Sequence, residues 1–430
     1  MVNSYIEKNK QNMINDIINC VGFESVSNRT ETEGAPFGEE CKKALEYVLD
    51  IGKQMGFRTK NIDGYCGFIE FGEGEELVGI IGHLDVVPAH IEDGWNSNPF
   101  KAEIRDNKIF GRGTVDDKGP VISCLYAMKA VFENLKVSKR VRLILGLNEE
   151  KDWECINYYK RNEEIPSIGF SPDANFPCIY AEKGIVSVKL ENDFYINNAE
   201  IIEISSCGNA INVVPKTCFI RLKLNNENDK EKYKNAEDIF VEDLGNNVIK
   251  INAVGKAAHA CHPTLGENAI TKLFVYLNNI EKSEYIDKLL EEGFFKLESP
   301  DYLGGELLTD ESGVLTSNIG KVSFENGKLS LYTNLRVPVN TNFDTITCKC
   351  EELKLKVPGL SYGLEHAQNK LYVDKESYLV KTLTNIFNEE ANLSEEPLAI
   401  GGGTYARAFK NFVSFGMTMP GEEDLCHQAN

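Results

Sequence analysis

The chain has 430 residues, 66 of them acidic and 46 basic, which gives a net charge of −20 at pH 7. This length exceeds the usual size of one hydrophobic core and predicts two domains, and the negative charge argues against nucleic acid and anionic membranes as partners. Twelve scattered cysteines without a CxxC spacing, no signal peptide and no apolar run of about 18 residues predict a soluble protein of the cytoplasm.

The N-terminal part of the chain carries helical and then strand-like patterns. Apolar residues recur at helical spacing over much of residues 10–57. Apolar runs at Leu77–Gly82 and Val141–Gly146 are typical of buried strands, and a helical pattern at 121–132 lies between them. This order predicts a mixed α/β fold whose mainly parallel sheet is flanked by helices.

The pattern changes after about residue 184. Strand-like pieces such as 185–190 and 218–224 alternate with polar segments and predict a second domain of α+β type. Helical patterning returns at 378–388, so the C-terminal segment is expected to complete the first domain. We therefore predict a first domain of residues 1–184 and 370–430, with residues 185–369 inserted as the second domain.

Candidate metal ligands follow the predicted strands. His83 comes directly after the first apolar run, Glu149 and Glu150 follow the second, and Asp173 ends another strand-like piece. The carboxyl ends of parallel strands meet at one edge of a sheet, so we expect these side chains to lie close together. Asp85, on the same extended segment as His83, could hydrogen-bond one ring nitrogen while the other binds a metal. The alternative for each residue is an ordinary cap or turn.

Asp116 and His427 complete the candidate set. Asp116 lies in a glycine-bearing segment, 111–119, that leads into a helix, where an aspartate is ordinarily an N-cap. Its two oxygens also allow it to bridge two cations, and His427 is the natural partner for the earlier ligands. Because successive side chains on an extended segment diverge, one of Glu149 and Glu150 can bind metal while the other takes a proton from an activated water.

Other residues are candidate substrate contacts. His259 could donate a hydrogen bond to the oxyanion formed on an attacked carbonyl, and Arg336 could bind a substrate carboxylate through two parallel hydrogen bonds. A surface histidine and a structural ion pair are the ordinary alternatives. Gly402 lies in a run of three glycines that lacks the Gly-Lys-Ser/Thr of a phosphate loop, and it could offer a backbone amide to a substrate or form a plain turn.

Taken in order, nine segments resemble the di-zinc metallopeptidase family of aminoacylases, glutamate carboxypeptidases and carnosinases, and within it the bacterial PepV-type dipeptidases. The family often has Thr-Asp where this chain has Leu147-Asn148. Similar chains usually continue beyond the segment that matches His427, which predicts either weaker packing beneath that residue or a shortened sequence. The matching segments are Gly82–Pro88, Gly111–Gly119, Asn148–Glu150, Ser171–Asp173, Ala181–Gly184, Asn212–Pro215, Gly255–Pro263, Gly401–Arg407 and Pro420–Asn430.

The resemblance implies two divalent metal ions per chain that share one carboxylate. Zinc is the expected metal, with manganese or cobalt as alternatives. The implied ligands are His83, Asp116 and Asp173 for the first ion and Glu150, Asp116 and His427 for the second.

The resemblance also implies roles for residues that bind no metal. Glu149 is implied as the general base, and Asp85 as the residue that orients the first histidine ligand. In similar enzymes the inserted domain is a lid, from which the residues matching His259 and Asn212 reach the substrate. The arginine matching Arg336 binds the terminal carboxylate of the substrate in those enzymes.

The sequence therefore predicts a dipeptidase that hydrolyses dipeptides with a free amino end through a metal-bridging water. An N-acyl amino-acid deacylase or a carboxypeptidase of the same family, and a catalytically impaired protein that binds metal or peptide, stay as alternatives. A short peptide is the expected partner, without nucleic acid or membrane. Because the insertion is long enough for one chain to supply its own lid histidine, we expect a monomer.

Overall fold

The structure is a computed structural model that describes residues 2–208, 210–423 and 425–429. The chain divides into two compact units. Unit 1 contains the residues up to Tyr180, Tyr372–Leu398 and the residues from Gly403 onwards, and unit 2 contains Ala181–Leu371 and Ala399–Gly402. The sequence of unit 2 thus interrupts that of unit 1.

The described residues form eight α-helices, several of which begin at a side-chain cap. Asn268, Ser283 and Ser377 each accept a hydrogen bond from a first-turn amide, which satisfies backbone donors that have no partner inside the helix. The helices are α1 (Val2–Val21), α2 (Glu39–Gln54), α3 (Lys118–Asn134), α4 (Glu154–Asn162), α5 (Ala269–Ile280), α6 (Glu284–Glu291), α7 (Phe343–Lys356) and α8 (Tyr378–Ala391).

The strands of the described residues are mostly short, and their burial follows the sequence pattern. Strands that are buried on both faces are nearly continuous apolar runs, whereas strands with one exposed face alternate. The strands are β1 (Arg58–Ile62), β2 (Cys66–Phe71), β3 (Leu77–His83), β4 (Glu103–Arg105), β5 (Lys108–Phe110), β6 (Arg140–Gly146), β7 (Ile168–Ser171), β8 (Ala174–Asn175), β9 (Ile179–Glu182), β10 (Gly184–Asp193), β11 (Ala199–Ser206), β12 (Thr217–Leu224), β13 (Ile239–Gly245), β14 (Val248–Val254), β15 (Thr309–Asp310), β16 (Gly313–Val314), β17 (Thr316–Glu325), β18 (Lys328–Val337), β19 (Ser361–Gln368), β20 (Leu371–Tyr372), β21 (Leu398–Ile400), β22 (Phe412–Ser414) and β23 (Met417–Thr418).

A nine-stranded sheet contains most of the strands of unit 1. Its order is β1-β2-β6-β3-β7-β22-β9-β20, with β21 paired to β9. The central strands β6, β3, β7 and β22 run parallel to one another, whereas β1, β2 and β9 pair antiparallel. β3 is buried along nearly its whole length, as expected of a central parallel strand. The predicted mixed, mainly parallel α/β fold is confirmed.

Unit 2 combines antiparallel sheets with helices. Two four-stranded sheets have the orders β17-β18-β10-β19 and β11-β12-β14-β13. One hydrophobic cluster contains buried side chains from both sheets and from α5, α6 and α7. Burial of such apolar surface is the main term that stabilises this unit. The unit has the α+β character predicted for the inserted segment.

Three connections of unit 1 begin where parallel strands end. β3 ends at His83, β6 ends at Gly146 shortly before Glu149, and β7 ends at Ser171 shortly before Asp173. Ligand sites of open α/β sheets lie at this edge, and the sheet therefore positions the candidate ligands. None of the helices in the described ranges has the length and apolarity needed to cross a membrane.

Candidate metal centre

The five predicted metal ligands lie together in two groups that share one aspartate. Within each group the potential ligand atoms lie within 4.8 Å of one another. The groups are His83, Asp116 and Asp173, and Asp116, Glu150 and His427.

The first group surrounds a buried ring nitrogen. His83 Nε2 lies 3.0 Å from Asp116 Oδ1 and 3.5 Å from Asp173 Oδ2. Nε2 and Asp116 Oδ1 are both buried, and neither has a hydrogen-bond partner among the described residues. Buried polar atoms are costly when they are unsatisfied. An imidazole lone pair and carboxylate oxygens that point at a common position fit a divalent cation.

The second group uses the other oxygen of the shared carboxylate. His427 Nε2 lies 3.1 Å from Asp116 Oδ2 and 3.1 Å from Glu150 Oε1. One ring nitrogen has a single proton to donate, or a single lone pair, so it cannot serve two carboxylates equally. Asp116 thus directs one oxygen to each histidine, which is the arrangement of a ligand that bridges two cations.

Burial and mutual charge perturb the pKa values of this cluster. Burial, followed by the charges of Glu150 and Asp173, raises the pKa of Glu149 well above its ordinary value, although His83 opposes the shift. Hydrogen bonds to Asp116 and Glu150 raise the pKa of His427 to about 10. Carboxylates are therefore concentrated where only protons or cations can compensate their charge.

The backbone around His83 and the paired glutamates is fixed by two aspartates. Asp117 Oδ2 accepts a hydrogen bond from the His83 amide at 3.1 Å. Asp85 Oδ1 and Oδ2 accept hydrogen bonds from the amides of Glu149 and Glu150 at 3.0 and 3.2 Å. Asp117, rather than Asp116, occupies the N-cap position of α3. Its side chain accepts a hydrogen bond from the His83 amide instead of from the first turn of the helix.

The contact between Asp85 and His83 differs from the expected one. His83 Nδ1 lies 2.9 Å from the backbone carbonyl of Asp85 and 3.6 Å from its carboxylate Oδ1. The carbonyl therefore accepts the Nδ1 proton and leaves Nε2 as the lone-pair donor. The Asp85 carboxylate supports the glutamate backbone rather than the imidazole.

The family model described as Peptidase family M20/M25/M40 matches residues 79–430. The chain belongs to this family. It is accordingly a hydrolase of the peptidase class, and the predicted family resemblance is confirmed.

Individual relatives of this M20 chain agree with the family match. A Staphylococcus epidermidis protein named "Putative dipeptidase" is 35% identical over 439 residues, which cover 97% of this chain and 92% of the relative. Among solved structures, the di-peptidase Dug1p of Saccharomyces cerevisiae has a TM-score of 0.59 at 15% identity, and human carnosine dipeptidase 1 has a TM-score of 0.60 at 13% identity. Each alignment covers 100% of this chain and 93% of the other, and both show the shared fold.

Tyr405 is a site residue that the sequence analysis did not single out. Its ring is fully buried, with its centroid 6.0 Å from that of His83 and 5.2 Å from that of Trp153. Its hydroxyl lies 2.6 Å from Cys155 Sγ. A Cβ atom at Gly146 would lie 2.4 Å from that hydroxyl, so this M20 chain needs glycine at the end of β6. The available signal was the position of Tyr405 inside the matched segment after the glycine run.

The remaining predicted residues lie in unit 2, where Arg336 and His259 have defined partners. Arg336 is buried in β18, with Nε donating to Asn334 Oδ1 at 2.8 Å and Nη1 donating to the Gly401 carbonyl at 2.9 Å. His259 Nδ1 lies 2.8 Å from Cys261 Sγ and accepts a hydrogen bond from the Cys261 amide at 3.3 Å. Since Nδ1 is an acceptor, the neutral imidazole carries its proton on Nε2.

Asn212 and Gly402 are the other two residues predicted to contact the substrate. Asn212 is exposed, and its carbonyl accepts a hydrogen bond from the Ala260 amide at 2.9 Å, which ties its turn to the segment that carries His259. Gly402 lies in the short stretch 399–402 that belongs to unit 2. All four residues belong to unit 2, whereas the two ligand groups belong to unit 1.

Proposed function

We propose that this chain is a metal-dependent dipeptidase that hydrolyses dipeptides with a free amino end. The observation that carries the proposal is the position of Asp116, whose two oxygens face His83 on one side and His427 on the other. A carboxylate shared in this way supports a pair of divalent ions acting on one peptide bond. The choice of substrate is supported by the names of relatives that are 35% and 34% identical over almost the whole chain.

The ligand set supports zinc as the metal, with manganese or cobalt as alternatives. Two imidazoles and three carboxylates are available, and all three metals accept nitrogen and oxygen ligands. When bound, the two ions would lower the pKa of a water toward about 7 and polarise the carbonyl of the scissile bond.

Glu149 is the proposed general base. Its amide is fixed by Asp85, and burial raises the pKa of its carboxyl group well above the ordinary value. A carboxylate with a raised pKa can hold a proton taken from the attacking water and then deliver it to the leaving amine. Glu150 has its amide fixed by the same aspartate, so the two glutamates keep separate roles as base and ligand.

Unit 2 is proposed to bind the substrate as a lid. His259 presents an Nε2 proton that is suited to an oxyanion, and Asn212 is exposed on the turn next to it. Arg336 would bind the terminal carboxylate through its guanidinium, and Gly402 would offer its amide. Since the insertion supplies these residues within one chain, we propose a monomer. We further propose a cytoplasmic location, which the twelve cysteine thiols support.

Hydrolysis by reconstituted protein tests the proposal. Metal-stripped protein is loaded separately with Zn²⁺ and Mn²⁺, and each form is assayed with an unblocked dipeptide and its N-acetylated counterpart. We expect cleavage of the free dipeptide alone, because the proposed site accepts a free amino end.

The other outcomes identify different activities. Cleavage of only the acetylated compound would replace the dipeptidase with an N-acyl amino-acid deacylase. A protein that binds both ions and cleaves neither compound would refute a peptidase acting on dipeptides and favour a binding role.

A further inference from the structure

The histidine of the second ligand group lies on a segment with little regular structure. Among residues 425–429 there is no helix or strand, and His427 has a left-handed backbone with a φ of 62°. Its side chain is 53% exposed, compared with 1% for His83. A residue in this position needs a specific contact if its ring is to point at Asp116 and Glu150.

Arg112 supplies such a contact. Its Nη2 donates a hydrogen bond to the His427 carbonyl at 3.3 Å. This bond joins residues that are 315 positions apart in the sequence. It fixes the backbone from which the imidazole projects, and a hydrogen bond from a charged donor is stronger than one between neutral groups.

Arg112 is itself held in place. It is only 7% exposed, and its guanidinium lies 5.2 Å from the centre of the Trp95 ring. Its amide donates to the Pro99 carbonyl at 2.8 Å. Stacking and burial restrict a side chain that would otherwise have many rotamers, so its donor has a defined direction.

The same loop carries both Arg112 and the shared ligand. Arg112 lies four residues before Asp116, within the segment 111–119. One loop therefore carries both the carboxylate that the two ligand groups share and the donor that binds the His427 carbonyl. Arg112 also lies near the charges of Asp116 and Glu150 and could compensate them. Charge compensation does not by itself require the hydrogen bond to the His427 carbonyl, so this bond indicates a positioning role.

We infer that Arg112 is the positioning residue for His427 and thereby sets the affinity of the second metal site. This inference rests on the proposed role of His427 as a metal ligand. It does not depend on which peptide is cleaved.

Zinc titration of the metal-stripped full chain tests the inference. Calorimetry and metal analysis after dialysis at fixed free Zn²⁺ give the affinities of both sites. In Arg112→Met we expect one site to weaken about 10- to 100-fold, as for other residues that orient a ligand, while the other site keeps its intrinsic affinity when the data are fitted with a coupling constant between the two sites. Arg112→Lys keeps the charge but loses the planar guanidinium and should weaken the same site.

A double variant separates positioning from general support of the loop. His427→Ala should lose the second site, and adding Arg112→Met to it should have no further effect on the remaining site. The matched control is Arg105→Met, because Arg105 also lies over an aromatic ring, Phe110 at 4.1 Å, and pairs with Glu103. This control should bind two ions like the unchanged protein.

Several results would overturn the inference. Wild-type zinc affinities in both Arg112 variants would remove the positioning role. A remaining site that is weaker in the double variant than in His427→Ala would show that Arg112 supports the loop and not the histidine. Two intact sites in His427→Ala would overturn the ligand assignment as well. Failure to cleave dipeptides with both ions bound would refute only the proposed function.

Discussion

The two histidines of the candidate metal centre face the two oxygens of one carboxylate, yet their surroundings differ. His83 ends a buried strand, and both its amide and its Nδ1 are hydrogen-bonded. His427 lies outside any regular element and is half exposed. The two histidines therefore offer the same ligand atom but differ in how firmly they are held before an ion binds. An ion in the first group would find its histidine already ordered, whereas an ion in the second would also have to offset the entropy of ordering a half-exposed side chain.

The largest effect should come from removing Asp116, the residue that the two ligand groups share. Asp116→Ala takes a ligand from both groups, and even the loss of a supporting residue costs about 10- to 100-fold per metal site. We expect weak binding of both ions and a fall in kcat/KM of more than about 10³-fold. Zinc titration and dipeptide hydrolysis measure the two effects. The exposed Asp152→Ala is the control, and one ion retained at full affinity would show that the groups are independent.

The next largest effect should come from Glu149, whose replacement should lower the rate of catalysis without weakening metal binding. Glu149→Gln should leave both ions in place, because Glu149 belongs to neither ligand group. Loss of the proton acceptor should lower kcat about 10²- to 10⁴-fold. Zinc content and kcat are measured on the same sample, with the exposed Glu75→Gln as control. Unchanged turnover would remove Glu149 from the mechanism.

The unequal surroundings of the histidines predict unequal effects on stability. In metal-free protein, His83→Ala leaves buried hydrogen-bonding groups without a partner and should cost about 1–3 kcal/mol. His427→Ala removes the ion pairs that a half-exposed side chain forms with Asp116 and Glu150, so it should cost less, about 0.2–1 kcal/mol. Urea unfolding of both variants gives the comparison. Equal losses would show that the two histidines contribute equally to stability despite their different burial.

The smallest effect concerns Asp85, whose carboxylate accepts hydrogen bonds from the amides of Glu149 and Glu150. Asp85→Asn keeps the carbonyl that accepts from His83 but places an amide donor against one of the glutamate amides. We expect the site that contains Glu150 to weaken about tenfold, while the site that contains His83 keeps its intrinsic affinity. Zinc titration distinguishes the sites, with Asp63→Asn as a surface control. A loss confined to the His83 site would reverse the assignment.

The sequence predicted those features that follow from local pattern. The helix expected at 121–132 lies within α3, and the strands expected before His83 and Glu149 are β3 and β6. The sheet rule then places both residues at one edge, since the carboxyl ends of parallel strands meet there. Long apolar runs make such elements recognisable without knowledge of their tertiary contacts.

Features that depend on distant contacts were not predicted. Asp85 offers both a carbonyl and a carboxylate, and the choice between them depends on where the amides of Glu149 and Glu150 lie. Tyr405 approaches the centre only because Gly146 leaves room for it. Arg112 is defined by a carbonyl 315 residues away. Local periodicity contains no information about any of these approaches.

The shared carboxylate of Asp116 has a thermodynamic consequence. A single planar group directs one oxygen to each histidine, so an ion bound at one position would alter the orientation available at the other. The two equilibria are therefore coupled, and linkage makes the coupling free energy the same in both directions. The orientation gained favours joint occupancy, and the repulsion between two cations opposes it. A zinc titration of this chain would therefore give two coupled binding constants, and a fit to two independent sites would misrepresent them.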